Sequence, residues 1–370
     1  MTINEKRELL FRVIDAQFTG NSKDGFISFN INGPTTYSYA EVEQLNEAGS
    51  KMSASFSHLI HQMPKGKTFE YNSNNLMWDA YQDLFRFAEP KDKKFEGTNL
   101  KLSENFHQKE KHYNIFKKNK KELERKLINA LNEPGEDFLK IKEIKQRIKE
   151  NLIQWKINGF KNEIDLAYNK QLAEANLNNI RQWNIWKERA EEADFADVND
   201  ANLVYGYFNA RLDTLLENNK WSKIIFKQSF LNELIGNRID GDITIRPFIE
   251  NIDRLRFEYQ IININRPWFN PAVFSAGFWQ WDENYTGGKL SNGDFEGIFP
   301  SYITDIIFIR NIRYTILSNP IWAALEWIGG FFTELPTIPF LSHKKNEIFL
   351  VAFKCTKVPD CPKIKRRRVI

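Results

Sequence analysis

A long stretch with hardly any glycine or proline is the feature that most constrains how this chain folds. Between Lys101 and Asn218 the composition shifts to Lys, Glu, Asn and Leu, and no proline occurs between Gly135 and Asp194. Glycine and proline interrupt helices, because glycine adds conformational freedom and proline removes a backbone donor. The stretch therefore predicts an extended helical segment.

The spacing of the apolar residues indicates how these helices pack. On both sides of a turn signal at Asn132–Gly135, large apolar residues recur mostly three or four positions apart: Leu123, Leu127, Leu131, Ile141, Ile144, Ile148, Leu152 and Trp155. That period places them on one helix face. We therefore predict an elongated, coiled-coil-like helical hairpin. A second arm without a break would be one helix of roughly 60 residues, about 90 Å long.

The charges of this stretch favour a solvated helix face over a nucleic-acid surface. Its densest basic patch, which two glutamates follow closely, consists of Lys117, Lys118, Lys120 and Lys121. Over the whole chain, 52 Lys and Arg residues against 48 Asp and Glu residues give a net charge of +4. So small a net charge creates no overall field that attracts phosphate groups. We expect no nucleic-acid partner.

The segment Arg266–Asn311 predicts the core of an aromatic-rich domain. Phe257–Asn265 alternates apolar and polar residues, Tyr302–Ile312 is rich in β-branched residues, and Asn346–Val358 is apolar enough for a central strand. The connection between the first two strands carries Trp268, Trp279 and Trp281. We predict that these tryptophans are mainly structural, because each brings a large apolar area that must be covered. The predicted fold class is α+β, with a helical hairpin and a Trp/Phe-rich, β-containing head domain.

Shorter patterns complete the predicted organisation. Glu5–Phe18 predicts an amphipathic helix, Asp24–Tyr39 predicts strands with a break at Gly33, and Ile224–Ile235 predicts a short helix. We predict three domains. They are a mixed α/β segment over residues 1–100 that packs on the head, the charged helical hairpin over 101–218, and an aromatic-rich α+β domain with a basic C-terminal tail over 219–370.

The sequence lacks the motifs that common enzyme classes require. It contains no phosphate-binding loop, dinucleotide fingerprint, HExxH motif or G-x-S-x-G elbow. His58 and His61 have a spacing that metal sites use, but no acidic or cysteine partner lies near them in the sequence. Surface or capping histidines are the favoured interpretation. We therefore expect no catalytic residue, no metal site and no cofactor.

One enzymatic alternative is located in the Trp-rich connection. Asp282 with Glu283, and Asp294 with Glu296, lie close in sequence to Trp279 and neighbouring aromatics. Two carboxylates beside the sugar are typical of sites that cleave glycosidic bonds. Solvated loop acids are the favoured account, since charged residues are mostly exposed. A carbohydrate-active enzyme is therefore the second alternative function.

The segment Ser318–Phe332 has the sequence signals of a helix start and a helix end. Asn319 and Pro320 suit a helix start, and Gly329-Gly330 suits its end. One interpretation is a short helix packed on the sheet. The other is a contact with a membrane or a partner protein, because Trp is favoured where an apolar surface meets water. We predict that Pro320–Phe340 makes this contact through Trp322, Trp327, Phe331 and Phe332.

These patterns favour a non-enzymatic protein that contacts a membrane surface or a protein partner, as an oligomer or part of a larger assembly. The predicted architecture resembles soluble toxins or effectors of the helical pore-forming kind, a likeness of shape that does not establish function. The first alternative is a structural component of a phage or injection-type particle. The N-terminus has charges in its first apolar stretch, so we expect cytoplasmic synthesis without a signal peptide. A toxin or effector would then leave the cell by a non-classical route.

Overall fold

The structure is a computed structural model. It describes residues 3–19, 23–47, 50–70, 76–91, 106–132, 138–174, 178–196, 204–236, 252–283, 285, 287–316 and 347–362. The chain divides into two compact units, each assembled from separate stretches. The sheet unit comprises Met1–Asp79, Asp194–Pro267 and Ser291–Asp360, and the helical unit comprises Ala80–Ala193, Trp268–Leu290 and Cys361–Ile370. The three-domain division stays a prediction.

The described residues form helices and strands in an α+β arrangement. The α-helices are α1 (Ile3–Phe18), α2 (Tyr39–Asn46), α3 (Lys51–Ile60), α4 (Met77–Phe87), α5 (His107–Asn132), α6 (Phe138–Asn158), α7 (Lys161–Glu174), α8 (Asn178–Ala190), α9 (Gln228–Gly236) and α10 (Ala272–Ser275). The strands are β1 (Gly25–Asn30), β2 (Thr35–Ser38), β3 (Thr68–Phe69), β4 (Ala88–Pro90), β5 (Asp194–Ala196), β6 (Val204–Gly206), β7 (Ser222–Lys227), β8 (Ile252–Asn263), β9 (Trp279–Trp281), β10 (Ser301–Ile316) and β11 (Glu347–Lys357). Two 3-10 helices, Leu212–Leu216 and Asn218–Lys220, precede β7.

A seven-stranded mixed sheet lies at the centre of the sheet unit. Its order is β3-β1-β11-β10-β8-β7, and β2 pairs with β11 as well. β1 and β3 run parallel, whereas the pairs around β10, β11 and β8 are antiparallel. The short pair β5–β6 belongs to the same unit, and β4 pairs with β9 in the helical unit. β8 thus lies between β10 and β7.

Helices cover both faces of the sheet. Alternate residues of a strand point to opposite sides of the sheet, so β10 contributes side chains to both cores. Ile307 and Ile309 of β10 pack with apolar residues of α1 and α9 in one core. Ile306 and Phe308 pack with residues of α2 and α3 in the other. Burial on both faces explains why β10 and β11 read as nearly continuous apolar runs.

Most predicted elements of the sheet unit are confirmed. Glu5–Phe18 lies in α1, whose predicted apolar face is buried. Asp24–Tyr39 contains β1 and β2, and Gly33 between them adopts a φ of 94°. The three later predicted strands correspond to β8, β10 and β11. The basic tail and the segment Ser318–Phe332 lie outside the described residues.

The helix predicted at Ile224–Ile235 is wrong in its first half. Residues 222–227 form β7, which pairs antiparallel with β8 and places Phe226 opposite Leu255 in the core. Helix α9 begins only at Gln228. A short apolar run suits a strand and a helix equally, and pairing with β8 decides between them here.

In the helical unit, α5 and α6 form the predicted helical hairpin. Leu127 of α5 packs against Ile141, Ile144 and Ile148 of α6 in one apolar cluster. These are residues of the seam that the sequence predicts. The connection at residues 133–137 lies outside the described residues.

The second arm of the hairpin is not a single helix of sixty residues. α6 ends at Asn158, Phe160 adopts a left-handed φ of 55°, and α7 begins at Lys161. Ile164 of α7 then packs in a cluster with Tyr113 of α5 and Trp155 of α6. Among the described residues the predicted second arm is therefore divided into α6, α7 and α8, and no long coiled coil forms.

Aromatic side chains fill a second core of the helical unit. Trp268 and Trp279 are 3% and 1% exposed, and the Trp279 Nε1 atom donates to the Val273 carbonyl oxygen at 2.8 Å. Trp281 is half-buried and packs against Tyr285, with ring centres 4.5 Å apart. The prediction that the tryptophans are structural is confirmed for Trp268 and Trp279.

A buried ion network is an exception to the predicted solvated helix face: Lys117, Lys118 and Lys121 are exposed, whereas Lys120 and Lys161 are buried. Lys120 of α5 and Lys161 of α7 both contact Glu191, which follows α8. The Lys161 Nζ atom also lies 2.7 Å from Asp165 Oδ2. Burial by itself raises the pKa of Glu191, but the charges of Lys120, Lys161 and Lys187 lower it to about 2. The network ties α5 and α7 to the end of α8.

Candidate functional site

A cleft of about 1150 Å³ in the sheet unit is the candidate functional site. Four parts of the chain line it: the end of α2, the first turn of α3, residues between Gly206 and Ser222, and the end of β8 from Tyr259 to Asn263 together with Asn265. Pockets that bind small molecules usually enclose about 300 to 1,000 Å³. The cleft therefore has room for a ligand larger than a typical metabolite.

β8 forms the floor of the cleft, and the pairing register decides which of its groups face it. The Asn265 backbone N–H donates to the Asn209 carbonyl at 2.9 Å, and the Asn209 N–H donates to the Asn265 carbonyl at 2.8 Å. Backbone groups of successive residues point alternately to the two sides of an antiparallel strand. Asn263 and Ile261 therefore direct their backbone groups to the same side as Asn265, where the cleft lies.

One wall of the cleft contains the two 3-10 helices, and Trp221 holds it in place. The Trp221 Nε1 atom donates to the Leu215 carbonyl oxygen at 3.1 Å, and the Arg310 guanidinium carbon lies 4.4 Å from the centre of the indole. From β8, the Gln260 Nε2 atom donates to the Thr214 carbonyl oxygen at 2.9 Å. These contacts fix the wall beside the floor.

The other wall starts at Gly206 and is held by buried groups of α3. The Ser57 hydroxyl donates to the Gly206 carbonyl oxygen at 2.7 Å. His61 Nδ1 lies 2.7 Å from the Ser57 carbonyl oxygen, and because a carbonyl only accepts, Nδ1 carries the proton. Burial lowers the pKa of His61 well below its usual value, so the ring is neutral. A Cβ atom at Gly206 would overlap the Trp78 ring, which explains the glycine.

Arg266 anchors the chain where it leaves the cleft floor. Its Nη1 atom donates to the Ile303 carbonyl oxygen at 2.7 Å, and its Nη2 atom donates to the Ile60 carbonyl oxygen at 2.8 Å. Burial lowers the pKa of the guanidinium to about 9. These bonds tie β10 and the end of α3 to the residue that follows Asn265. The floor is therefore fixed at its far end.

The lining offers many neutral hydrogen-bonding groups. Its carboxamides are Asn46, Asn209, Gln260, Asn263 and Asn265, and its hydroxyl groups belong to Ser53, Tyr207, Thr214, Ser222 and Tyr259. Each carboxamide has an acceptor oxygen and two donor hydrogens, and each hydroxyl group both donates and accepts. The lining therefore suits a ligand that carries donors and acceptors side by side.

The charges of the lining are positive. Its cations are Arg211 and Lys220, and the described lining residues include no carboxylate. Arg211 is already engaged, because its Nη2 atom lies 3.0 Å from Asp213 Oδ2. Within the described parts of the chain, no carboxylate lies within ion-pair distance of Lys220. The uncompensated charge of the cleft is therefore that of Lys220.

None of the described candidate site residues lies in this cleft. Trp322, Trp327, Phe331 and Phe332 lie outside the described residues, so their role stays a prediction. His58 and His61 both contact the Trp78 ring, with ring centres 5.2 and 5.1 Å away, and the described residues contain no cluster suited to a metal ion. The tryptophans of the proposed sugar site pack in the helical unit.

The sequence contains one signal that could have drawn attention to the cleft. Asparagine alternates with isoleucine at the end of β8, in the run from Ile261 to Asn265. Asparagine is depleted in strands, so Asn263 and Asn265 on one side of a strand are unusual there. Asn46 and Asn209 come from distant parts of the chain, and their approach could not be read from spacing.

Within the parts of the chain that the structure describes, no helix is both long enough and apolar enough to cross a membrane. No protein-family model, curated protein or solved structure matches the chain.

Proposed function

We propose that the protein is a non-enzymatic binding protein and that the amide-lined cleft of the sheet unit receives a protein partner. The observation that carries the proposal is the cleft itself. It is open, larger than a typical metabolite site, and lined by neutral groups that donate and accept hydrogen bonds. Interfaces with proteins combine such groups with a few apolar and aromatic contacts, which Ile261 and Tyr207 supply here.

The cleft itself does not suit the cleavage of carbohydrates. Cleavage of a glycosidic bond normally uses two carboxyl groups flanking that bond, and the described lining residues include none. In the Trp-rich connection, where the carbohydrate-active alternative is located, Trp279 is buried in the helical unit, and Trp281 and Tyr285 are partly buried and pack against each other. Binding without turnover is the chemistry that fits these residues.

A peptide selection on the full chain tests the proposal. We expect short random peptides displayed on phage to yield binders that Ile261→Glu weakens at least about tenfold, a loss of roughly 1.4 kcal/mol. Ile261 lines the cleft and is 37% exposed, so the variant should fold. Ile225→Glu is the matched control: Ile225 lies on the neighbouring strand, is 58% exposed and is outside the lining. The Ile225→Glu variant should bind the selected peptides as tightly as the wild type does.

Two results would contradict the proposal. One is a selection without peptide binders while a glycan array gives ligands that Ile261→Glu abolishes. The other is binding that survives Ile261→Glu but is lost when Trp322 and Trp327 are both changed to Ser. That outcome would place the contact with a membrane or partner in Pro320–Phe340.

We also propose that the hairpin forms an extended, coiled-coil-like contact with a second copy of the chain. Ile153 and Ile157 lie one turn apart on α6 and are 46% and 67% exposed. Apolar residues at that spacing suit a helix–helix seam. Light scattering of the full chain should give the mass of an oligomer, and changing both isoleucines to Ser should return a monomer. A monomeric wild type would refute this part of the proposal.

A further inference from the structure

The floor of the cleft contains a gap in the pairing of the sheet. On the side of β8 that faces β7, pairing ends at Tyr259, which lies opposite Ser222. It resumes at Asn265, which pairs with Asn209 in an isolated bridge. The distance along the strand from Tyr259 to Asn265 is about 20 Å. The gap is therefore long enough for a few residues of extended chain.

Two residues in this gap present backbone groups to the cleft. The Ile264 N–H donates to the Thr304 carbonyl of the β10 chain at 2.9 Å, so residues 260, 262 and 264 bond toward β10. By alternation, Ile261 and Asn263 point their N–H and C=O groups the other way. No described residue pairs with Ile261 or Asn263 on that side. The cleft floor is thus a short stretch of open strand edge.

An open strand edge can accept a further strand, because an extended chain pairs with it through its backbone. The space next to the gap is the cleft, since the chain of β7 turns away into the 3-10 helices before it reaches Ile261. Asn209, Asn263 and Asn265 line this space. The Asn263 Nδ2 atom already donates to the Thr304 carbonyl oxygen and to Asp305 Oδ1, so the carboxamides of Asn209 and Asn265 are the ones that can bond an added peptide.

The charges of the cleft lining indicate which kind of peptide binds best. The lining contains cations and no described carboxylate, and Lys220, at the end of the second 3-10 helix, is one of these cations. A carboxylate on the added chain would neutralise Lys220 and meet no like charge among the described lining residues.

We propose that the cleft binds an extended peptide segment with an acidic residue, which adds as a short strand to β8 through the backbone of Ile261 and Asn263. This inference rests on the proposed function and specifies its mode. The peptide bonds to backbone groups of the floor, and its side chains lie against the amide-lined walls. Affinity then depends on the two N–H groups as well as on the Ile261 side chain.

Hydrogen exchange of the full, free chain tests the open edge. In a spectrum of ¹⁵N-labelled protein, the amides of Ile261 and Asn263 should exchange faster than those of Gln260 and Ile262, which bond to β10. Adding a peptide from the phage selection should slow both. Equal protection of all four amides in the free chain would overturn the inference, because another segment of the chain would then cover the edge.

A matched pair of substitutions tests the backbone contact. Asn263→Pro removes the N–H group, and proline is tolerated at strand edges. Asn263→Pro should lower the affinity for the selected peptide about tenfold. Asn263→Ala keeps the N–H group and should bind the peptide within about threefold of the wild-type affinity. Replacing the acidic residues of the peptide by amides should weaken its binding to the wild type but not its binding to the Lys220→Glu variant. The strand-addition mode is wrong if the peptide does not slow the exchange of the Ile261 and Asn263 amides and both Asn263 variants bind it equally well. The proposed function still stands in that case if Ile261→Glu abolishes binding.

Discussion

Glu191→Gln should destabilise the helical unit by about 3 kcal/mol at pH 7. Removing one partner of a buried ion pair costs about 3 to 5 kcal/mol, because the other charge stays buried without compensation. Here Lys120 and Lys161 would lose their shared partner, although Glu124 Oε1 remains 3.8 Å from Lys120 Nζ and Asp165 Oδ2 remains 2.7 Å from Lys161 Nζ. These two remaining partners place the effect at the low end. Urea unfolding followed by helical circular dichroism measures the loss.

The same substitution has a defined pH dependence. The folded-state pKa of Glu191 is about 2, below its usual value of 4.5. Its contribution to stability is therefore complete above pH 4.5 and is lost as the pH falls from 4.5 to 2. The difference between the wild type and Glu191→Gln should shrink over that range. A constant difference would contradict the lowered pKa.

The control for this network is a solvent-exposed pair in the same unit. Lys109 and Glu163 form an ion pair between side chains that are 37% and 53% exposed. Exposed pairs contribute about 0 to 1 kcal/mol, so Glu163→Gln should change the free energy of unfolding by less than about 1 kcal/mol. Equal losses for Glu163→Gln and Glu191→Gln would show that burial is not what makes the network strong.

Trp279→Ala should cost about 3 to 5 kcal/mol of unfolding free energy, the range for large aromatic residues removed from a core. Trp279 is 1% exposed and its ring centre lies 6.0 Å from that of Trp183. The substitution also leaves the Val273 carbonyl oxygen without the indole N–H that donates to it. The urea midpoint of the helical unit, read from tryptophan fluorescence and circular dichroism together, reports the change.

Leu166→Ala is the matched control for the aromatic core. Leu166 belongs to α7 and is 72% exposed, so its truncation should stay within about 0.5 kcal/mol. An unchanged midpoint for Trp279→Ala would mean that the indole lies at a surface, and the enzymatic alternative in the Trp-rich connection would regain support.

Much of the fold could be predicted from local patterns. The amphipathic face of α1, the alternation in β8 and the seam of α5 and α6 all follow from periodicity, because each buries one face of a regular element. β7 was missed because Ile224–Phe226 suits helix and strand equally, and only pairing with β8 decides. The break after α6 was missed because Gly159 and Phe160 are a weak stop signal without proline.

The buried charges and the cleft could not be predicted, since both depend on tertiary contacts. Lys120, Lys161 and Glu191 lie far apart in sequence, and a Lys/Glu-rich helix normally reads as solvated. The cleft joins residues of α2, α3, the 3-10 helices and β8. Its open edge arises because β7 turns away one residue beyond Ser222, a feature of register that no periodicity reveals.

Methyl-labelled isoleucine spectra of the full chain test most directly whether the cleft is the binding site. During titration with a selected peptide, the δ1-methyl signal of Ile261 should shift and saturate, while those of Ile225 on β7 and of Ile153 and Ile157 on α6 should stay in place. All of the control methyl groups are at least partly exposed, so each would report contact at its own surface. A shift at Ile153 or Ile157 without one at Ile261 would contradict the account and place the partner on the helical unit.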